Sequence, residues 1–248
     1  MNYDYHIHSE FSYDSRIIGA DLLIKALELN FNEIAITEHL DLLPQELSVY
    51  GLPSLQKYYN YCVRLQKEHP GITLRMGIEI GDYHKVKDFA KTLVSGFSFS
   101  PILGSVHFLN DHTNVAIPLS TPLTPDQVKD YYMQNLQLAQ SCDIDILAHL
   151  GVYKRYYTHV PDESAVQGII DEILHTIIRR DIALEINLSS LRKPYKQIIP
   201  EVVLIDRYRD LGGRYISIGS DSHRIDHFDR IPDFVLDICK GFDPPRLS

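Results

Sequence analysis

The chain is poor in cysteine, in long apolar runs and in positive charge, and each scarcity removes a class of explanation. Its three cysteines, Cys62, Cys142 and Cys239, are odd in number, far apart and never arranged as C-x-x-C. That argues against both a disulfide framework and a thiolate zinc site, and leaves them as reduced thiols of the core or surface. No apolar stretch approaches the ~20 residues that would span a bilayer. The opening Met1-Asn2-Tyr3-Asp4-Tyr5-His6 has neither the basic nor the apolar region of a secretory signal. The expectation is a cytoplasmic protein with no membrane partner. With 24 Lys and Arg against 33 Asp and Glu, the net charge of −9 disfavours binding to a polyanion, which runs on cationic side chains neutralising phosphates. No nucleic-acid partner is expected.

What the chain does contain is 44% hydrophobic residues over 248 positions, enough for a large core in a single domain of the size common among (β/α) barrels. Seven short β-branched or apolar runs, at 3–7, 33–37, 73–80, 101–106, 145–148, 183–188 and 215–218, read as strands. Between them, helical spacing predicts helices over 20–30, 55–69, 85–94, 124–141, 164–180 and 200–211. Strands alternating with helices imply an α/β protein with a parallel sheet, and residues 1–248 show no linker or internal repeat.

The twelve histidines matter for where they fall. At or just after the predicted strand ends stand His6 and His8, His39, Glu79, His107, His149, Asn187, and finally Asp221 and His223. In a parallel α/β barrel the C-terminal strand ends converge on one face, so these residues meet in one pocket. His6 and His8 are two apart, which in a strand puts both imidazoles on the same face, and Asp221 and His223 repeat that spacing. Glu79 lies inside an apolar strand, where an unpaired carboxylate is costly, so it is paired, protonated or bound to metal. Asp14, in the loop after the first strand, could return to a second ion beside the first.

Six histidines and three acids carry a formal charge of about −3, which three divalent ions would overcompensate. Such a site attracts a doubly charged phosphate ester. Nitrogen and oxygen donors suit Zn, Mn or Fe. Two basic segments follow strands on the same face, Tyr153-Lys154-Arg155 and Leu191-Arg192-Lys193, and arginine matches phosphate with a bidentate fork. Arg155, Arg192 and Ser105 are the candidate phosphate contacts. Asp4, Glu10 and Glu38 read as solvated or supporting groups, and His69, His84, His112, His159, His175 and His227 as surface histidines.

Taken in order, H-x-H, T-E-H, G-x-E, G-S-V-H, A-H and G-S-D-x-H resemble the PHP (polymerase and histidinol phosphatase) superfamily over nearly the whole chain. Segments 104–108, 148–156, 184–192 and 217–223 look like its histidinol-phosphatase branch. The resemblance implies a distorted, TIM-like (β/α)7 barrel with a trinuclear metal site. It puts His6, His8, Glu79 and Asp221 on one ion, Glu79, His107 and His149 on a second, and Asp14, His39 and His223 on a third. Arg155 and Arg192 fall where that branch contacts substrate phosphate. Gly151 and Leu188-Ser189-Ser190 depart from the branch's usual residues beside the substrate mouth.

The expected activity is metal-dependent hydrolysis of a small phosphate monoester, L-histidinol phosphate to L-histidinol and phosphate, in histidine biosynthesis. Asp221, His223 and Glu79 are the expected catalytic residues, with Asp221 or His223 relaying the leaving group's proton, in a monomer or homodimer. Rival readings are another small phosphate ester, a phosphodiesterase or exonuclease, which the −9 charge opposes, and a metal store or sensor without turnover.

Overall fold

The computed structural model describes residues 2–247. Seven strands, β1 (Tyr3–Ile7), β2 (Glu33–Asp41), β3 (Thr73–Gly81), β4 (Ile102–Ser105), β5 (Ile146–Leu147), β6 (Ala183–Asn187) and β7 (Ile216–Gly219), form one sheet in sequence order. Every paired neighbour is parallel, which requires a crossover between successive strands. The helices α1 (Gly19–Glu28), α2 (Pro44–Tyr50), α3 (Leu55–Glu68), α4 (Lys87–Val94), α5 (Pro125–Ser141), α6 (Gln167–Arg179), α7 (Val202–Asp210) and α8 (Asp233–Ile238) sit in or after those crossovers. The fold is the expected distorted (β/α)7 barrel in a single domain. Among the described residues, no helix is long and apolar enough to cross a membrane.

The strands are buried on both faces, as Ile34, Ala35 and Ile36 in β2 and Ala183, Leu184 and Ile186 in β6 show. That is why they read as near-continuous apolar runs. The helices cover them with one stripe each. In α6 the buried Ile170, Ile173, Leu174 and Ile177 follow the i, i+3, i+4, i+7 rule, and each contributes about 1.5–3 kcal/mol by leaving water. Helix α5 starts on a capping box, Thr124 with Gln127, followed by Pro125. The three cysteines are buried and free.

Two helices lie outside the predicted set, α2 and α8. Each is under two turns long, too short for a 3.6-residue period to register, although Pro44 at the first helical position was a usable start signal. Strand β2 also runs on to Asp41 instead of ending at 37, and β5 shrinks to two residues.

Between β7 and β1 the barrel closes through single links. Ile7 bridges Ser222, His8 N donates to Ser222 O at 3.0 Å, and Asp221 N to His6 O at 2.8 Å. The Asp4 carboxylate, 2% exposed, ties the seam by accepting from Ser220 N at 3.0 Å and His6 N at 3.1 Å. Burial pushes it up to about 6 even though Ser220 and His6 donate to it.

Candidate metal centre

All nine predicted ligands meet at the C-terminal mouth of the barrel. At the middle stands Glu79 on β3, 1% exposed. Its Oε2 lies 3.3 Å from His6 Nε2, 3.5 Å from His8 Nε2 and 3.1 Å from His39 Nδ1. Its Oε1 lies 3.0 Å from His149 Nε2 and 3.5 Å from His107 Nε2. One carboxylate therefore divides five imidazoles between its two oxygens. Asp221 Oδ1 faces His6 and His8 at 3.8 and 3.6 Å. Asp14 reaches in from the loop after β1 to His39 at 3.6 Å and His223 at 3.3 Å. Three sets, His6–His8–Asp221, His6–Glu79–His149 and His8–His39–His223, each bring their donor atoms within 4.8 Å of one another.

Three of the imidazoles, His6, His8 and His107, have a group behind their far nitrogens. His6 Nδ1 donates to Glu185 Oε1 at 2.6 Å, which leaves Nε2 bare toward the centre. His8 Nδ1 meets Ser12 Oγ at 3.2 Å, and Ser12 in turn donates to Glu38. His107 places Nδ1 3.6 Å from Asp41 Oδ1, whereas His39 turns Nδ1 toward both Asp41 Oδ2, at 3.6 Å, and Glu79 Oε2, at 3.1 Å. Carboxylates behind metal-ligating histidines set tautomer and ring orientation. Glycines make room for two of them. A Cβ at Gly219 would sit 2.1 Å from Glu185 Oε1, and one at Gly81 would sit 2.2 Å from Asp41 Oδ1.

Two of the predicted ligands have the positive φ that is uncommon outside glycine, His149 at φ 27° and Asp221 at φ 50°. Each is pinned by its amide, His149 N to Glu185 Oε2 at 2.6 Å and Asp221 N to His6 O at 2.8 Å. Such strain persists where surrounding contacts over-determine it, and it clusters at functional sites.

The charges fit a cation. Burial works against a charged His6, yet Glu185, Glu79 and Asp221 outweigh it and hold the imidazole well above its usual range. Asp41 and Glu79 do the same for His39 and His107. Burial, then His223 and His39, drive His8 well below. Despite burial, Glu79 and Asp221 are held well below the usual carboxylate range by the imidazoles around them, and Asp14 lies below it through His223 and His39. His6 Nε2, His8 Nε2 and His39 Nδ1 are buried without a hydrogen-bond partner. Buried nitrogens aimed at carboxylates and otherwise unsatisfied are the donor set of a metal site.

The centre opens into a cavity of about 610 Å³. Arg155 and Arg192 both line it, together with Lys193. Arg155 Nη1 lies 3.1 Å from Asp221 Oδ2 and 3.4 Å from Ser189 Oγ. Arg192 Nη2 donates to Ser220 O at 2.7 Å. The Nε of both arginines is buried without a partner. Asn187 is not aimed at the centre; its Oδ1 accepts from Ser189 N and Oγ at 3.0 and 2.6 Å.

Several sequence expectations are corrected. Ser105 is fully buried, its Oγ has no partner, and it does not line the cavity, so no phosphate could reach it. His227 lines the cavity, and His84 is half-buried against Gln134 Oε1 at 3.2 Å; burial and then Lys85 lower His84 to about 4. Of the groups read as solvated or supporting, Asp4 and Glu38 are supporting and buried, behind His6 and Ser12, and Glu10 caps α1 at Gly19 N, 2.8 Å away. Glu185 and Asp41 were missed outright. The available signal was the period-two face shared by Glu185 with Asn187 and by Asp41 with His39.

This geometry can be set beside known proteins. The PHP domain model matches residues 4–189. A probable histidinol-phosphatase of Clostridium acetobutylicum is 33% identical over 234 residues, 90% of this chain and 87% of that protein. A histidinol-phosphatase of Lactococcus lactis is 28% identical over 230 residues, covering 89% and 83%. A crystal structure of histidinol phosphate phosphatase from Lactococcus lactis, complexed with Zn, L-histidinol and phosphate, shares the fold at a TM-score of 0.81 and 24% identity, over 98% of this chain and 95% of that one. With a family match across most of its length and a clostridial relative a third identical along nine tenths of it, the chain belongs to the PHP domain family.

Proposed function

We propose that the chain is a metal-dependent phosphatase that hydrolyses L-histidinol phosphate to L-histidinol and phosphate, with residues 1–248 acting as one phosphoesterase domain. The observation that carries the reading is the meeting, in one cavity, of bare imidazole nitrogens around Glu79 with the unpaired Nε atoms of Arg155 and Arg192. The names and bound ligands of the relatives described above support the same substrate.

Three divalent ions, Zn, Mn or Fe, fit the donors. His6, His8, Glu79 and Asp221 would hold one, Glu79, His107 and His149 a second, and Asp14, His39 and His223 a third. When bound, the ions supply Lewis acidity toward the phosphoryl oxygens and a nucleophilic water at neutral pH. The chain's own residues do the rest. Arg155 and Arg192 neutralise and orient the phosphoryl group from one side. Asp221, held ionised by His6, His223 and Arg155, and His223, on the cavity wall and 23% exposed, are the groups placed to pass a proton from a bound water to the leaving oxygen.

Phosphate release from L-histidinol phosphate, measured beside a panel of sugar and nucleoside monophosphates with the metal-reconstituted protein, tests the reading. The expected result is the highest kcat/KM for L-histidinol phosphate, with bound metal and turnover both lost in His107→Ala. A sugar or nucleoside ester preferred over it, or full turnover in His107→Ala, refutes the proposal.

A further inference from the structure

The cavity is lined by opposite charges on opposite sides. Its cationic side, Arg155, Arg192 and Lys193, comes from the segments after β5 and β6. Around a ring of seven strands, the segment after β2 lies three places from each of them. That segment is α2, which brings Glu46 and Tyr50 to the cavity beside Tyr13 of the β1 loop. The Tyr13 and Tyr50 rings stack at 3.6 Å with 9° between their planes, and both are about half exposed. Tyr13 is held by its hydroxyl, which donates to Asp41 Oδ2 at 3.2 Å.

Glu46 is the odd group in this wall. It is 5% exposed, it lines the cavity, and its Oε2 has no hydrogen-bond partner. No cationic side chain of the described residues lies within ion-pair distance of it. Burial and the neighbouring Asp41 push its carboxyl up to about 8. A buried carboxylate is costly unless a cation and hydrogen bonds compensate it; His107 and His39 offset part of that cost from a distance, and nothing bonds its Oε2. A carboxyl kept protonated by burial ionises when a cation is seated against it, so Glu46, facing a cavity whose far wall would take phosphate, is complementary to a cationic group on the ligand.

We propose that α2 is the leaving-group wall, in which Glu46 receives the ammonium of a phosphorylated amino alcohol and Tyr50, the outer ring of a stack that continues through Tyr13 to His39, receives the flat face of the ligand's ring. This rests on the phosphatase reading and deepens it by assigning the half of the substrate that the metal centre and arginines do not touch. The wall's chemistry selects a zwitterion, phosphate at one end and amine at the other, over sugar phosphates, which offer Glu46 no charge.

The test uses the metal-loaded full chain and three monoesters: L-histidinol phosphate, O-phosphoethanolamine, which has the amine without the ring, and 4-nitrophenyl phosphate, which has a ring without the amine. For Glu46→Gln the ratio of kcat/KM for either amine ester to that for 4-nitrophenyl phosphate should fall about 10- to 100-fold, the worth of one hydrogen bond to a charged group. The loss should sit in KM, with metal content unchanged by elemental analysis. Glu46→Asp, which keeps the charge, should fall between, and it serves as the readout if the glutamine variant does not fold. Tyr50→Ala should raise KM for the two ring esters more than for O-phosphoethanolamine.

A specificity ratio unchanged within twofold, or a loss of bound metal in Glu46→Gln, overturns the assignment, the second result making Glu46 a support of the metal centre. Suppose wild type prefers O-phosphoethanolamine over L-histidinol phosphate and Glu46→Gln abolishes the preference for amines; the substrate named above is then wrong and the Glu46 assignment stands. If wild type prefers L-histidinol phosphate and Glu46→Gln keeps that preference, the substrate stands and the wall is refuted.

Discussion

Replacing Glu185 by glutamine should weaken metal binding without touching a metal ligand. The carboxylate is fully buried and does two jobs, accepting from His6 Nδ1 at 2.6 Å through one oxygen and from His149 N at 2.6 Å through the other. Asn187 Nδ2 adds a third contact at 3.2 Å. A glutamine has one acceptor, so one of the two short bonds becomes a donor facing a donor. If His6 loses its acceptor, its proton is free to move to Nε2, the atom that faces the centre, and a lone pair is replaced by a hydrogen. Losing the partner behind a metal-ligating histidine costs about 10- to 100-fold in affinity, equivalent to ~1.4–2.8 kcal/mol. Competition with a chelator at fixed pH reads that loss, and thermal melting of the metal-free protein separates it from the ~1–3 kcal/mol cost of a buried unsatisfied donor. Metal affinity unchanged within twofold would sink the argument that Glu185 sets the tautomer.

Two further outcomes are expected. Arg192→Ala should raise KM by about 10-fold or more with kcat and metal content held, because the guanidinium grips phosphate equally before and during reaction; an unchanged KM would return Arg192 to a structural role at Ser220 O. Metal retention should fall as pH drops, the loss beginning above the usual imidazole value of about 6.5 and deepening below it, since coordination needs neutral imidazoles. The sign follows from the raised values at His6, His39 and His107: a proton held more tightly than usual competes harder with the ion, so affinity is gained as pH rises and lost as it falls. Equal metal content after dialysis at mildly acid and mildly alkaline pH would contradict it.

The side chains that meet at the mouth were legible because strand ends are short, apolar runs are easy to bound, and histidine is rare enough that six at such ends stand out. The groups behind them were not, for identifiable reasons. Glu185 sits between Leu184 and Ile186 in a strand whose apolar run hides it, although a lone acid in a doubly buried strand must be paired. Asp41 falls past the point where β2 seemed to stop, because Thr37-Glu38-His39 looks like the end of a strand when only hydrophobicity is counted. Glu46 lies on a helix too short to show a period. Ser105 failed for the converse reason: nearness to a strand end in the sequence does not decide whether a side chain reaches the cavity or stays buried in the barrel wall.

The seam between β7 and β1 bears on when the centre can exist at all. His6 and His8 stand at one side of that seam and Asp221 and His223 at the other, joined by Asp4 and by single backbone links. A chain emerging from synthesis carries His6 and His8 long before residue 223 is out and β7 has docked to bring the last two donors. Metal capture is therefore a late event by construction, and a chain stopped short of β7 keeps most of the donors yet lacks the two that close the ring.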